Sequence, residues 1–304
     1  MFSRVRQGLN NSMSPLSHEV SDVTIEALLS LSDDETSLVR AAVTREINGL
    51  NIDIPAFIHS RHLALSETHY QALEQILWER NHAHLMQIWR EWIDGEEGSW
   101  QLERAMSALS HFQNGARYRP ALSMLLDDTA DAFAAHGAAA TCPELSRFLF
   151  EVLGYTVMPE MDANSGGMNL ARVMEMRHGL PMALSCIFLL LGGRLNLKVS
   201  GCRWPGSSYA RFSENDVLYM VDFHNNGAVV TAEELLSLQG PSRKAAEAAI
   251  TLEMSPIMLV KRIVNELVMY YRREENPRNS IFMLDLLRML DRKERLGALE
   301  NAAP

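Results

Sequence analysis

Apolar residues recur at helical spacing along most of the chain, and this pattern predicts a mainly helical protein. Residues 23–50 fit two helices, and residues 65–93 fit one long helix with a broad apolar stripe. Further helices are expected at residues 102–112, 119–135, 145–153, 169–176, 179–195, 257–271 and 279–290. The sequence Thr231-Ala-Glu-Glu234 has the form of a capping box and begins one more helix. Residues 1–20 are polar and are expected to form a flexible tail.

Between residues 198 and 227 the pattern changes to the alternation that is typical of strands. Strands are expected at residues 198–204, 208–212 and 217–223. Along the third of these, Met220 and Asp222 fall on one face and Tyr219 and Val221 fall on the other. Asn226-Gly227 then forms a strong turn signal. The sequence therefore predicts an α+β, predominantly helical fold with a small antiparallel sheet.

Composition narrows the choice of partners and compartment. The chain has 304 residues and a formal net charge of -10, which repels phosphate backbones and disfavours nucleic acid as a partner. No apolar run approaches the length of a membrane span, and the first residues do not resemble a signal peptide. The cysteines, Cys142, Cys186 and Cys202, are odd in number and lack paired spacing, which favours a reducing compartment. We therefore expect a cytoplasmic protein with no membrane contact.

The long helix at residues 65–93 is rich in tryptophan, with Trp78, Trp89 and Trp92, and Trp100 follows it. The interpretation that the sequence favours is that these side chains form the core of a helical region. The alternative is a surface for another protein, including a homodimer formed through this helix. If the protein has a partner, the sequence favours another protein.

A resemblance to a known family comes from residues 170–227. The segment contains Arg177-His-Gly179-Leu-Pro181, then Trp204-Pro-Gly206, then Arg211, and finally Tyr219-Met-Val-Asp222 before Asn226-Gly227. In this it resembles the bacterial SirB-type proteins, whose core is a divergent transglutaminase-like (papain-like) fold. The resemblance covers roughly residues 100–295. It implies a SirB-type domain with C-terminal helices at residues 99–304, preceded by a helical N-terminal extension at residues 21–98.

The resemblance also implies three catalytic positions. A thiol is expected at the start of the central helix, where the helix dipole lowers its pKa, a histidine on the next strand, and an aspartate beyond it. These positions correspond to Ala183, Ser207 and Asp222, so only the aspartate is present. Because Asp222 is present while the thiol and the base are missing, we expect the site to be vestigial. The expected function is therefore a non-catalytic, pseudoenzyme-like module for interaction or regulation.

The alternative is a thiol hydrolase or acyltransferase with a rearranged site. It would use Cys186 or Cys202 as the nucleophile, with His224 and Asp222. Because His224 lies two residues after Asp222, strand alternation would place both side chains on one face. Contact between a sulfur and an imidazole nitrogen decides between this hypothesis and the first.

Arg177, Arg211 and Asp222 form a second candidate group. An arginine beside the helix start and an aspartate on a strand could lock helix to sheet as an ion pair, or line a pocket for an acidic group. His59 and His62 have a spacing that occurs in metal sites, yet no cysteine or HExxH pattern accompanies them. We therefore expect no metal and no cofactor.

Overall fold

The computed structural model of the protein describes residues 21–95, 100–202, 208–251 and 253–302. The predicted tail, residues 1–20, lies outside the described residues. The chain divides into two compact units, the first ending at Ile76 and the second beginning at Leu77. The boundary lies within a helix rather than after residue 98, because Leu85, Trp89, Trp92 and Ile93, in the C-terminal half of that helix, are buried in the core of the second unit.

The first unit is helical, as the sequence predicts. It contains α1 (Asp22–Ser30), α2 (Ser37–Gly49), α3 (Ile54–Ser60) and the beginning of α4 (Glu67–Asp94). Ser21 caps α1 by accepting a hydrogen bond from the backbone of Thr24. The sequence analysis missed α3, a short helix that Asp53 caps and in which Pro55 occupies the first turn.

The second unit continues with nine helices among the described residues, and the sequence analysis missed α11. They are α5 (Trp100–Asn114), α6 (Leu122–His136), α7 (Cys142–Arg147), α8 (Leu170–Met176), α9 (Pro181–Arg194), α10 (Ala232–Leu236), α11 (Pro241–Thr251), α12 (Pro256–Arg273) and α13 (Pro277–Ala302). A π-helical turn, Phe148–Val152, extends α7, and three short 3-10 helices follow at Glu160–Asp162, Ser165–Met168 and Phe223–Asn225.

Two sheets complete the second unit. Their strands are β1 (Thr156–Val157), β2 (His178–Gly179), β3 (Val199–Cys202), β4 (Tyr209–Glu214), β5 (Val217–Asp222), β6 (Ala228–Thr231) and β7 (Glu253–Met254). Strands β1 and β2 pair in parallel, and the other five form an antiparallel sheet in the order β6-β5-β4-β3-β7. The three predicted strands are therefore its centre, and β6 and β7 extend it on both sides.

The five-stranded sheet has a different partner on each face. Ala210, Phe212 and Val221 belong to the main hydrophobic core, which also contains the buried residues of α9. Cys202 and Met220 belong to a smaller core with residues of α10 and α11. Alternation along the strands thus separates the α9 side of the sheet from the α10–α11 side.

Helix α9 lies at the centre of the second unit. Its residues from Met182 to Cys186 are all buried, and it contacts α6, α7, α8, β3 and β4. A helix that is apolar on every side is stable only when it is enclosed in this way. At its last turn, Arg194 donates to Glu103 of α5 at 2.8 and 2.9 Å and to Asp127 of α6 at 2.6 Å.

The predicted turn at Asn226-Gly227 is present and is held from two directions. Both residues have positive φ, +48° and +74° respectively. The backbone N–H of Gly227 donates to the carbonyl of Asp222 at 2.8 Å, and the Ser146 hydroxyl donates to the carbonyl of Gly227 at 2.6 Å. A Cβ atom at Gly227 would lie 2.3 Å from the ring of Phe150. Only glycine can both adopt this positive φ without strain and fit into the space beside Phe150.

Gly227→Ala is expected to destabilise the protein by at least about 1–3 kcal/mol, because it adds overpacking to an unfavourable backbone conformation. Urea denaturation of the full chain measures this loss. Gly193→Ala is the matched control, since a Cβ there meets nothing within 4 Å and Gly193 lies within helix α9. That variant should be unchanged or more stable by up to about 1 kcal/mol. Equal stability of the two variants would contradict the argument.

Candidate functional site

The start of α9 is the position at which the resemblance places a nucleophile. Leu180 precedes the helix without a side-chain cap, and Pro181 occupies its first turn. Met182 is 3% exposed and Ala183 is 0% exposed. The first turn of α9 is therefore packed with apolar side chains rather than open to a substrate.

Ser208 faces this helix start. Its hydroxyl is buried and donates to the Met182 sulfur at 3.9 Å, and its carbonyl accepts from the backbone of Phe223 at 3.3 Å. Ser208 precedes Ala210 by two residues and so shares its α9-facing side of the sheet. Ser207, the expected histidine position, lies outside the described residues. Sequence reasoning passed over Ser208, although counting back by two from Ala210 identifies it.

Asp222 lies on the other face of the sheet. Its Oδ2 accepts from the Tyr209 hydroxyl at 3.2 Å, and its Oδ1 accepts from the backbone N–H of His224 at 2.9 Å. Tyr209 packs against the smaller core formed with α10 and α11, whereas Ala183 lies in the main core. The described part of the structure therefore does not bring Ala183 and Asp222 together on one side of the sheet. Asp222 instead caps the 3-10 helix Phe223–Asn225.

His224 does not follow the strand alternation that the sequence suggested. Strand β5 ends at Asp222, and His224 belongs to the following 3-10 helix, where its side chain is exposed. Its backbone, and not its ring, contacts the Asp222 carboxylate. The expected imidazole–carboxylate pair is not formed, because the chain changes direction immediately after Asp222.

The three thiols are buried and protonated. Burial raises the pKa of Cys186 well above its ordinary value, and it raises the pKa of Cys202 to about 12 and that of Cys142 to about 11. Cys202 donates its S–H to the carbonyl of Tyr209 at 3.2 Å. A thiol is nucleophilic as the thiolate, so these environments suppress reactivity at neutral pH.

The second candidate group, Arg177, Arg211 and Asp222, is also separated. Arg177 has φ +52° and donates to the carbonyl of Leu153 at 2.9 Å. Arg211 donates to the carbonyl of Ile250 at 2.6 Å and pairs with Glu253 at 3.0 Å. Among the described residues, Asp222 forms no ion pair with either arginine. The expected lock between helix and sheet is therefore replaced by two separate arginine contacts to neighbouring backbone.

Helix α12 carries a charged pair that sequence reasoning did not single out as a unit. Glu266 is half-buried and lies 3.6 Å from Arg262, one turn earlier on the same helix. Burial raises the pKa of Glu266, and the charges of Arg262 and of His224 partly oppose this effect. The signal in the sequence is the i, i+4 spacing of two opposite charges beside apolar positions.

The described residues provide neither a metal site nor a membrane-spanning helix. The rings of His59 and His62 are 6.5 Å apart between centroids. Within residues 21–95, 100–202, 208–251 and 253–302, no group of three or more potential ligands is placed to hold a metal ion. In the same ranges, no helix combines the length and apolarity that crossing a bilayer requires.

Comparison with known proteins supports the fold. Residues 116–265 match the model of the Transglutaminase-like superfamily. Two curated UPF0162 proteins of Xylella fastidiosa, from strains Temecula1 and 9a5c, are each 31% identical over 91 residues, which is 30% of this chain and 32% of the relative. The matched segment thus spans about a third of those relatives' length. No solved structure matches the chain significantly.

The match and the architecture together show a transglutaminase-like domain, predominantly helical with a small antiparallel sheet. The fold class that the sequence predicts is thereby confirmed. Central helix α9 and strands β3–β5 lie within the matched residues, so the corner formed by Met182 and Ser208 belongs to this domain.

Asp222→Ala is expected to lower the free energy of unfolding by about 1–2 kcal/mol, the cost of one cap and one hydroxyl bond. Urea denaturation measures it, with Tyr209→Phe as a control that removes only the hydroxyl. In the double variant the two losses should be less than additive, because both changes remove the same contact. A loss above about 3 kcal/mol for Asp222→Ala would instead indicate a buried ion pair.

Glu266 should make stability fall as pH rises. Its folded-state pKa lies above the ordinary value of 4.5, so the native state binds the proton more tightly than the unfolded chain. Stability is then greatest below pH 4.5 and declines as pH rises through the folded-state pKa. Glu266→Gln, which removes this titration, should gain stability relative to the parent between acidic and neutral pH.

Glu234→Gln provides a comparison in which the pH dependence of stability should have the opposite sign. Hydrogen bonds from Thr231 lower the pKa of Glu234, so its contribution is present above the ordinary pKa and is lost as pH falls. Thermal denaturation from pH 4 to pH 7 measures both variants. Stability differences that move in the same direction for Glu266→Gln and Glu234→Gln would contradict the assignment for Glu266.

Proposed function

We propose that the protein acts by binding rather than by catalysis, as a non-catalytic transglutaminase-like module with an interaction or regulatory role. The observation that carries this proposal is the start of α9. The first turn of the helix is closed by Met182 and Ala183, and Ser208 contacts it from the sheet. A thiol enzyme of this fold would need an accessible sulfur at that corner, with its base beside it.

The environment of the thiols supports the same proposal. Burial raises the pKa of Cys202 to about 12, so this thiol stays protonated at pH 7. Cys186 is fully buried in the middle of α9, where burial raises its pKa further. Nearby arginines favour the thiolate of both cysteines, but burial outweighs them, and neither sulfur has the partly exposed surroundings of an activated cysteine.

The contacts of Asp222 also support the non-catalytic proposal. In an active site of this type the aspartate orients an imidazole. Here both oxygens of Asp222 are engaged, one by the Tyr209 hydroxyl and one by the backbone of the next turn. Such contacts stabilise the end of β5 and leave the carboxylate in a structural role.

The proposal also includes a family type, a kind of partner and a cellular compartment. We assign the domain to the SirB type on the residues Arg177-His-Gly179-Leu-Pro181 and Asn226-Gly227. Another protein is the proposed partner and the cytoplasm the proposed compartment, in keeping with three cysteines that are all free. Trp89 and Trp92 are buried inside the chain, so a homodimer would have to use other side chains of α4. The names of the matched relatives state no activity, so none is inferred from them for this chain.

Thiol labelling tests the non-catalytic proposal. At pH 7 the folded protein should react with iodoacetamide at all three cysteines at least about 10²-fold more slowly than the urea-unfolded chain, because burial suppresses the thiolate. Mass spectrometry of time points, resolved by peptide, measures the three rates separately.

The alternative, a thiol hydrolase or acyltransferase, predicts the opposite result. It requires rapid labelling of Cys186 or Cys202 in the folded protein, and turnover of amide or amine-transfer substrates that Cys186→Ala or Cys202→Ala abolishes. Cys142→Ala is the matched control, since that cysteine lies at the start of α7 and away from the proposed site. Turnover of this kind would overturn the proposal.

A further inference from the structure

The second compact unit contains a cavity of about 400 Å³ that the transglutaminase-like site does not involve. Helices α4, α5, α6 and α8 and the loop before α6 surround it. The lining residues are His84, Ile88, Arg104, Ser107, Ala108, Ser110, His111, Asn114, Arg119, Pro120, Ala121, Leu122, Ser123 and Ala171. Its volume is in the range that proteins use to hold a small molecule.

The ionisable side chains that line this cavity are basic, whereas the chain as a whole is acidic. Two arginines and two histidines line it, and within the described residues its lining contains no aspartate or glutamate. The chain as a whole carries a formal net charge of -10. A lining of one sign focuses the local potential and attracts a ligand of the opposite sign. The cavity therefore favours an anion.

Each arginine is held by a carboxylate that lies outside the lining. Arg104 pairs with Glu91 at 2.8 Å, and Arg119 pairs with Glu175. A guanidinium group has five N–H donors in a planar fork, so one carboxylate leaves further donors for a ligand. Arg119 binds Glu175 through one nitrogen, Nη1, so its other N–H groups remain available at the cavity.

The N-terminus of α6 adds backbone donors at the same place. The residue before the helix is Ala121, whose side chain cannot cap it, and no side-chain hydrogen bond replaces the cap. Leu122 and Ser123, which begin the helix, line the cavity. The first N–H groups of a helix lack intrahelical partners and carry the positive end of its dipole, and they bind anions readily.

Ser110 supplies an independent indication of a ligand. It is 3% exposed and lines the cavity from α5. No hydrogen bond to its hydroxyl is formed by the other described residues, and this oxygen is not among the fully enclosed, unpartnered atoms of the structure. The hydroxyl therefore opens on the cavity, where it can bond a ligand or a bound water.

We propose that this cavity binds the phosphate group of a small phosphate monoester. Phosphate presents several acceptor oxygens in a tetrahedral arrangement, which suits donors that approach from different sides. The two arginines, the start of α6 and the hydroxyl of Ser110 provide such donors. The volume of the cavity leaves room for an organic group beside the phosphate.

Isothermal titration calorimetry of the full chain tests the proposal at constant ionic strength, with inorganic phosphate, glycerol phosphate and acetate as probes. Both phosphates should saturate one site, and acetate should bind about tenfold more weakly or not at all, since it offers fewer acceptors. Ser110→Ala should weaken phosphate binding about tenfold without lowering the melting temperature, because the hydroxyl has no protein partner to lose.

Arg119→Gln should weaken phosphate binding by about tenfold or more, since it removes a charged donor. Arg288→Gln is the matched control, because Arg288 also pairs with a carboxylate, that of Asp285, and lies outside the cavity lining. Equal binding in the parent, Ser110→Ala and Arg119→Gln would overturn the proposal, as would the absence of saturation. Tighter binding of acetate than of phosphate would overturn the assignment to phosphate. The thiol-labelling result is independent of all these outcomes.

Discussion

The enclosure of α9 is the constraint on which the rest of the domain depends. Because this helix is apolar on every side, it requires partners around its whole circumference, and α6, α7, α8 and the sheet provide them. The sheet in turn needs α10 and α11 on its far face, where Cys202 and Met220 are buried. The layers therefore follow from the burial of one largely apolar helix. The same requirement closes the corner where a nucleophile of this fold would stand.

Local sequence patterns predicted the helices, strands and turns well, but they predicted less well which of these elements pair with each other. The apolar run of α9, the alternation of β5 and the Asn226-Gly227 turn are local signals, and all three are present in the structure. Strand β7 has only two residues and pairs with β3, which lies some fifty positions earlier in the chain. No periodicity can develop over so short a strand, and its partner is distant in sequence.

The candidate site shows the same limit, because the sequence indicated the types of side chain but not which of them lie together. Alternation correctly placed Asp222 on the face of Met220, yet that face turns away from α9. The sequence could not show where β5 ends, so the alternative hypothesis placed His224 beside Asp222, although the chain turns between them. Residues of the correct chemical type were thus identified, and the fold distributes them over different surfaces. The cavity beside α6 has no sequence motif, because its lining comes from four helices.

The three hydrogen bonds of Arg194 have a consequence for that cavity. This one side chain ties α5, through Glu103, and α6, through Asp127, to the end of α9. The same two helices contribute residues to the lining of the cavity. These bonds restrain the spacing of the two helices in the absence of a ligand, which lowers the conformational entropy that binding would cost. Selectivity at the proposed site would then come from a preset geometry rather than from closure around the ligand.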